Sequence, residues 1–247
     1  MKKVLLVGES WEVFSIHLKG FDAFFTTKYD EGAEWIIRAL HEGGYQVDYI
    51  PNHHAPSRVP TDLVKLQEYS AIILSDVGAN TLLLHPDTFE RSIATPNRLK
   101  LFKEYVEQGG AFVMIGGYMS FTGIHAKAKY KNSPVEEILP VTLLSHDDRV
   151  EVPEGINPKV VKSSHPVVKG LDDEWPMLLG YNQVIPKDGA EVLAVVQDDP
   201  LLVVGTYGKG RTAAFTSDCA PHWGSPEFVN WPQYNKLWQQ LLDWLTS

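Results

Sequence analysis

Cysteine is almost absent from this chain. Cys219 is the single thiol in 247 residues, so no intrachain disulfide can form and a disulfide-stapled fold is excluded. Long apolar runs are missing too: nothing approaches the roughly 18 consecutive apolar residues of a membrane-spanning helix. No membrane partner is expected. The apolar part of the N-terminal segment is too short for a secretory signal, which makes the cytoplasm the expected location. Basic charge is in deficit, with 22 Lys and Arg against 31 Asp and Glu and a net charge of −9. Such a chain repels a phosphate backbone, so nucleic acid is not an expected partner. The densest basic stretch, Lys127, Lys129 and Lys131, reads as a solvated loop. Glycine-rich phosphate loops are also missing. Gly8-Glu9-Ser10-Trp11 lacks the G-x-G-x-x-G fingerprint, and Gly208-Lys209-Gly210 belongs to a hairpin turn. No cofactor is indicated. With no repeat, linker or low-complexity segment, residues 1–247 read as one domain.

What is present is an alternation of strand and helix patterns up to Ile115. Lys3–Gly8 is a continuous apolar run, suited to a strand buried on both faces. Ala33, Ile36, Ile37 and Leu40 form one helical stripe, with Asp30 as its cap and Gly43-Gly44 as its stop. Tyr45–Ile50 reads as the second strand, Thr61–Glu68 as a short helix and Ala71–Leu74 as the third strand. Thr95-Pro96 suits a helix start, with Leu99, Phe102, Tyr105 and Val106 as the buried face. Ala111–Ile115 is the fourth strand. This order predicts parallel strands joined by right-handed crossovers: an α/β, flavodoxin-like three-layer sandwich with a mostly parallel sheet.

Further along, Ser133-Pro134-Val135-Glu136 spells a capping box. Residues 141–190 read as irregular structure with short strands. Glu191–Val196 is a strand, and Leu201–Thr206 pairs with Arg211–Thr216 as a C-terminal β-hairpin. Trp231, Tyr234, Trp238, Leu241, Leu242 and Leu245 make the stripe of a closing helix.

Open α/β sheets bind ligands outside the carboxyl ends of their strands. That rule selects Glu9, Ser10 and Trp11 after the first strand, and Asp76 and Gly78 after the third. It also selects Gly117, Tyr118 and Ser120 after the fourth, and Asp218, Cys219, His222 and Trp223 after the last. These residues are expected to meet at one cleft, although each also suits a loop cap. Glu9 and Asp76 at one edge could raise each other's pKa or share a divalent cation with His222. Hydrogen bonding to loop amides is the plainer reading, and no metal site is assigned. The adjacent His53 and His54 lack ligand spacing. Cys219 and His222 form a nucleophilic pair only if their side chains meet; otherwise Cys219 is a small buried hydrophobe.

The run AFVMIGGYMSFTG, residues 111–123, leads a buried strand straight into a glycine turn. Such an elbow holds a nucleophile above the sheet edge, yet the side chains here are Tyr118, Met119 and Ser120. The stretch GGAFVMIGGYMSFTG, followed by SPVEEILPV, SSHPVVKGL (163–171), YGKGRTAAFTSD (207–218) and APHWGSPEF (220–228), resembles the class I glutamine amidotransferase-like superfamily over nearly the whole chain. It is also similar to the trehalose-utilisation-like branch. The resemblance implies an elbow cysteine that attacks the glutamine amide, with a histidine and a glutamate after the last strand. His222 matches the histidine by position. Glu227 departs from the family's H-x-E spacing, and the elbow cysteine is replaced. Glutaminase activity is therefore not expected.

The expected function is binding or processing of a small polar metabolite at the sheet edge, carbohydrate-like by the trehalose-utilisation resemblance. Trp11, Tyr118 and Trp223 would stack on it, and Glu9, Asp76, Asp218 and His222 would hydrogen-bond to it. A second reading is a hydrolase or amidotransferase with Ser120 or Cys219 as nucleophile and His222 as base. A third is an oligomeric scaffold, since seven tryptophans leave room for a homo-oligomer surface.

Overall fold

Val4 and Leu6 project from one side of β1 (Lys3–Gly8), Leu5 and Val7 from the other, and all four are fully buried. A strand buried on both faces needs a packed layer on each. The same split recurs in β5 (Ala71–Ser75), where Ala71 and Ile73 oppose Ile72 and Leu74. In β6 (Ala111–Ile115), Val113 and Ile115 oppose Phe112 and Met114. The computed structural model describes residues 1–247. Its central sheet orders β4 (Gln46–Ile50), β1, β5, β6, β14 (Gly210–Phe215), β13 (Asp199–Tyr207), β12 (Glu191–Val196) and β9 (Lys159–Val160). The first five are parallel and the remaining pairings antiparallel. The parallel part has the flavodoxin strand order, and β13–β14 is the expected C-terminal hairpin.

Helices Glu34–Glu42 and Tyr234–Leu245 cover one face, burying Ile36, Leu40, Trp238 and Leu241. Helices Arg98–Glu107 and Pro134–Ile138 cover the other through Leu99, Phe102, Tyr105, Val106 and Ile138.

Several boundaries differ from the sequence reading. Asn97, not Thr95, caps the helix at Arg98, because its Oδ1 accepts from the amides of Leu99 and Lys100 at 3.0 and 3.2 Å. The Thr95 hydroxyl pairs with Thr88 instead. The helix expected over Thr61–Glu68 shrinks to Leu63–Leu66, capped by Asp62. Asp30 caps nothing; it lies in β3 (Asp22–Glu31), which pairs with β2 (Ser10–Lys19) as a long hairpin that the sequence reading passed over. The segment read as irregular structure with short strands holds such strands as two small antiparallel pairs. One joins β7 (Val141–Leu143) to β11 (Val184–Pro186), the other β8 (Arg149–Ile156) to β10 (Leu178–Asn182).

The glycine turn after β6 is a close-approach device. The Gly116 amide donates to the carbonyls of Phe215 and Ser217 at 2.8 and 2.9 Å, and a Cβ there would stand 2.2 Å from the Thr216 carbonyl oxygen. Backbone cannot yield as a flexible side chain can. Gly116→Ala is therefore expected to cost about 1–3 kcal/mol, the usual range for overpacking. The check is a lower denaturant midpoint at unchanged slope.

Candidate functional site

Gly8, Ser75, Ile115 and Phe215 are in register across β1, β5, β6 and β14. The chain therefore leaves all four strands at one edge, and the following residues share a rim. A cavity of about 360 Å³ opens there, lined by Trp11, Asp76, Tyr118, Asp218, Pro221 and His222. Five of these six are residues the edge rule selected.

His222 Nδ1 lies 3.5 Å from Asp218 Oδ2. A carboxyl beside one ring nitrogen orients the imidazole and leaves Nε2 for other work. Tyr118 meets the His222 ring edge-on at a 4.5 Å centroid distance, and Trp223 stacks on His222 and lies tilted beside Tyr118. The Tyr118 hydroxyl and Trp223 Nε1 donate to the two oxygens of Glu151, at 2.8 and 2.9 Å. The Arg149 guanidinium stands 4.5 Å from the centre of the Tyr118 ring and is itself held by Asp147 at 3.0 and 2.9 Å. Burial and the Glu151 carboxylate push the Tyr118 phenol up, so it remains a hydrogen-bond donor.

Beneath the rim lies an acidic cluster. Burial, then Asp218 and Asp76, push the Glu9 carboxyl well up. Burial and Asp76 do the same to Asp218, and burial raises Asp76, although the Met119 amide donates to it at 2.6 Å. Ser75 Oγ donates to Glu9 Oε2. Carboxyl oxygens of Glu9 and Asp218 and the Cys219 sulfur lie within 4.8 Å of one another. His222 is not part of that group, so the divalent-cation set weighed from sequence is not the one assembled.

The two candidate nucleophiles are placed elsewhere. Ser120 is buried; its Oγ donates to the Ile115 carbonyl at 2.5 Å and accepts from the Asp76 amide at 3.1 Å. It ties the turn together and does not line the cavity. Cys219 is fully buried, with Sγ 3.6 Å from Glu9 Oε2 and 3.8 Å from Ser75 Oγ. Burial and the neighbouring carboxyls of Glu9 and Asp218 push its thiol well up, and a protonated thiol is a poor nucleophile. Glu227 sits exposed on the first turn of helix Pro226–Val229, and the acid beside His222 is Asp218. Ser10 is likewise structural: its Oγ accepts from the Asn52 amide at 2.8 Å. Gly117 lies at φ +144°, and a Cβ there would meet Asp76 Oδ1 at 2.8 Å.

The sequence reading missed the residues that hold the turn. Asp148 is buried and accepts from the amides of Thr122 and Gly123 at 2.8 and 2.9 Å and from Asn182 Nδ2 at 2.9 Å. Asn182 Oδ1 in turn accepts from the Gly117 amide at 3.0 Å. With Glu151 and Arg149, these belong to β8, β10 and the loop before β8. The signal was the charge run Asp147-Asp148-Arg149 with Glu151, in a segment whose strands are too short to show periodicity.

Residues 3–247 match the family model GATase1_like, described as "Putative glutamine amidotransferase". No curated protein matches the chain. Among solved structures, cytoplasmic protein STM3548 from Salmonella typhimurium is similar at 48% identity and a TM-score of 0.95, covering 98% of each chain. Cytoplasmic protein STM1381 from Salmonella typhimurium LT2 is similar at 46% identity and a TM-score of 0.96, covering 99% of this chain and 100% of its own. A ThuA-like protein from Parabacteroides merdae shares the fold at 13% identity and a TM-score of 0.61, covering 100% of this chain and 90% of its own.

Proposed function

The chain belongs to the GATase1_like family, and we propose that it binds a small polyhydroxylated metabolite, carbohydrate-like in class, without cleaving glutamine. One observation carries this reading. Aromatic faces and an Asp218-oriented His222 border a cavity of about 360 Å³, while both candidate nucleophiles are turned into hydrogen bonds below it. Trp11 and Tyr118 suit the apolar C–H faces of a sugar ring. His222 and Asp76 suit its hydroxyls, the usual division of labour in a small-molecule pocket. Tyr118 stands on the elbow but donates to Glu151, which argues against attack by its oxygen. His222 is the proton acceptor for any reaction of the bound molecule, with the Asp218 carboxyl beside Nδ1 fixing its ring. The names of the two Salmonella typhimurium relatives support a cytoplasmic setting.

The test is a thermal-shift screen over sugars, sugar acids, small amides and glutamine, run with an ammonia-release assay. Saturable stabilisation by a carbohydrate-class compound is expected, worth about 2.7 kcal/mol at one hundred times its Kd. Glutamine is expected to release no ammonia. A screen without a saturable hit, or glutamine hydrolysis at a catalytic rate, contradicts the proposal.

A further inference from the structure

The β2–β3 hairpin is a structural oddity. Two ten-residue strands pair over their whole length, and only its base is held, through Ser10 to Asn52 and the Tyr29 ring against His53. At about 3.4 Å per residue the ribbon extends roughly 30 Å. A two-stranded hairpin alone in water is marginal at best.

Its two faces differ in apolar content. Cross-strand partners share a face, so the register puts Phe14 with Thr27, Ile16 with Phe25 and Leu18 with Ala23 on one side. Phe14 and Phe25 stack there at 5.4 Å. The opposite side is mixed: Trp11 with Asp30, Val13 with Lys28, Ser15 with Thr26, His17 stacked on Phe24, and Lys19 with Asp22. The apolar side faces nothing: Phe14 is 62% exposed, Ile16 58%, Leu18 75%, Phe25 60%, and Phe21 at the tip fully exposed.

We propose that this ribbon is an arm that docks on a second copy of this chain. The area fits. At 150–250 Å² per aromatic side chain, the exposed phenylalanines and aliphatics of the arm leave roughly 800 Å² of apolar surface in water. That is about one partner's share of a standard stable interface. The surface is also self-complementary. Glu12 and Glu31 lie on this side toward the base, but from Phe14 outward it carries no charge, so two copies can cover the outer part without burying one. A groove of about 450 Å³ opens near the arm's base, with Pro56, Leu84, Pro86 and Phe89 in its lining, and Phe89 is 73% exposed. Phe21 at the arm's own tip is fully exposed and does not line that groove; a partner's Phe21 can fill it, and a two-fold axis makes the exchange reciprocal. A lipid surface is the poorer match, because interfacial elements carry a basic polar face, whereas this one mixes Lys19 and Lys28 with Asp22 and Asp30.

Sedimentation velocity on the full chain decides the matter. The wild type is expected at twice 27.7 kDa or a higher even multiple. Phe14→Asp/Phe25→Asp is expected to lower that mass at least twofold, with far-UV circular dichroism and melting of the remaining fold retained. Phe89→Asp, on the groove, is expected to do the same. Ser15→Asp, on the opposite side, leaves the mass unchanged, which separates loss of the more apolar face from general damage to the hairpin. In hydrogen exchange, amides of residues 12–29 are expected to be protected in the wild type and to lose that protection in the double variant. A monomeric wild type overturns the proposal, as does an oligomer that survives either variant. Vesicle binding by a monomeric wild type overturns it in favour of a lipid surface.

Discussion

Asp148→Ala is expected to unfold the rim of the site and to take much of the protein's stability with it. The Asp148 carboxyl is buried and accepts three hydrogen bonds, from the amides of Thr122 and Gly123 and from Asn182. Removing it strands three donors in a place water does not easily reach. Each stranded donor costs about 1–3 kcal/mol, so a loss on the order of 4 kcal/mol is expected against a typical total of 5–15. The loss propagates, because Asn182 also fixes the Gly117 amide and hence the turn that carries Tyr118. Asp148→Asn keeps the shape and one acceptor oxygen, and is expected to cost less than half as much. Denaturant unfolding of the two variants checks both magnitudes. Equal, small losses would show that the loop holds the turn by some other means.

The second large effect is a pH dependence centred on Glu9. Its folded pKa is raised by burial and by the Asp218 and Asp76 carboxyls. The folded state therefore holds a proton that the unfolded state releases. The stability this proton contributes is complete below the unfolded carboxyl pKa, near 4.3. It is lost as pH rises through the folded value, at about 1.4 kcal/mol per pH unit. Glu9→Gln is a permanent mimic of the protonated acid that can still accept from Ser75. It is expected to match the wild type at acid pH and to become progressively more stable than it above pH 5. Thermal melts of both proteins across pH 4–8 read the difference directly. A variant less stable than the wild type at pH 8 would mean that the Glu9 charge is used, for instance by a bound cation.

The parallel core was legible because its strands are uninterrupted apolar runs bounded by glycine, as in Lys3–Gly8 and Ala111–Ile115. The edge rule then placed Trp11, Asp76, Tyr118, Asp218 and His222 together with no motif at all. Three things were not legible. The β2–β3 ribbon carries apolar residues on a face that no part of the chain covers, so its alternation did not point to a core. The two-stranded pairs of the middle segment are too short for periodicity, which hid Asp148, Glu151 and Asn182. The inward turn of Ser120 and Cys219 depends on which backbone carbonyl or buried carboxyl lies within reach, and spacing does not encode that. The position of His222 could be read from the family resemblance. Its acid could not, because Asp218 precedes the histidine, whereas the family pattern looks for it afterwards.

Titration of the strongest ligand from the screen into wild type and His222→Ala, followed by calorimetry, probes the cleft most directly. Saturable one-site binding by the wild type and at least a tenfold weaker affinity in His222→Ala are predicted, with melting temperature little changed because the ring lies partly open to solvent. Equal affinities in the two proteins would place the ligand elsewhere and contradict the account.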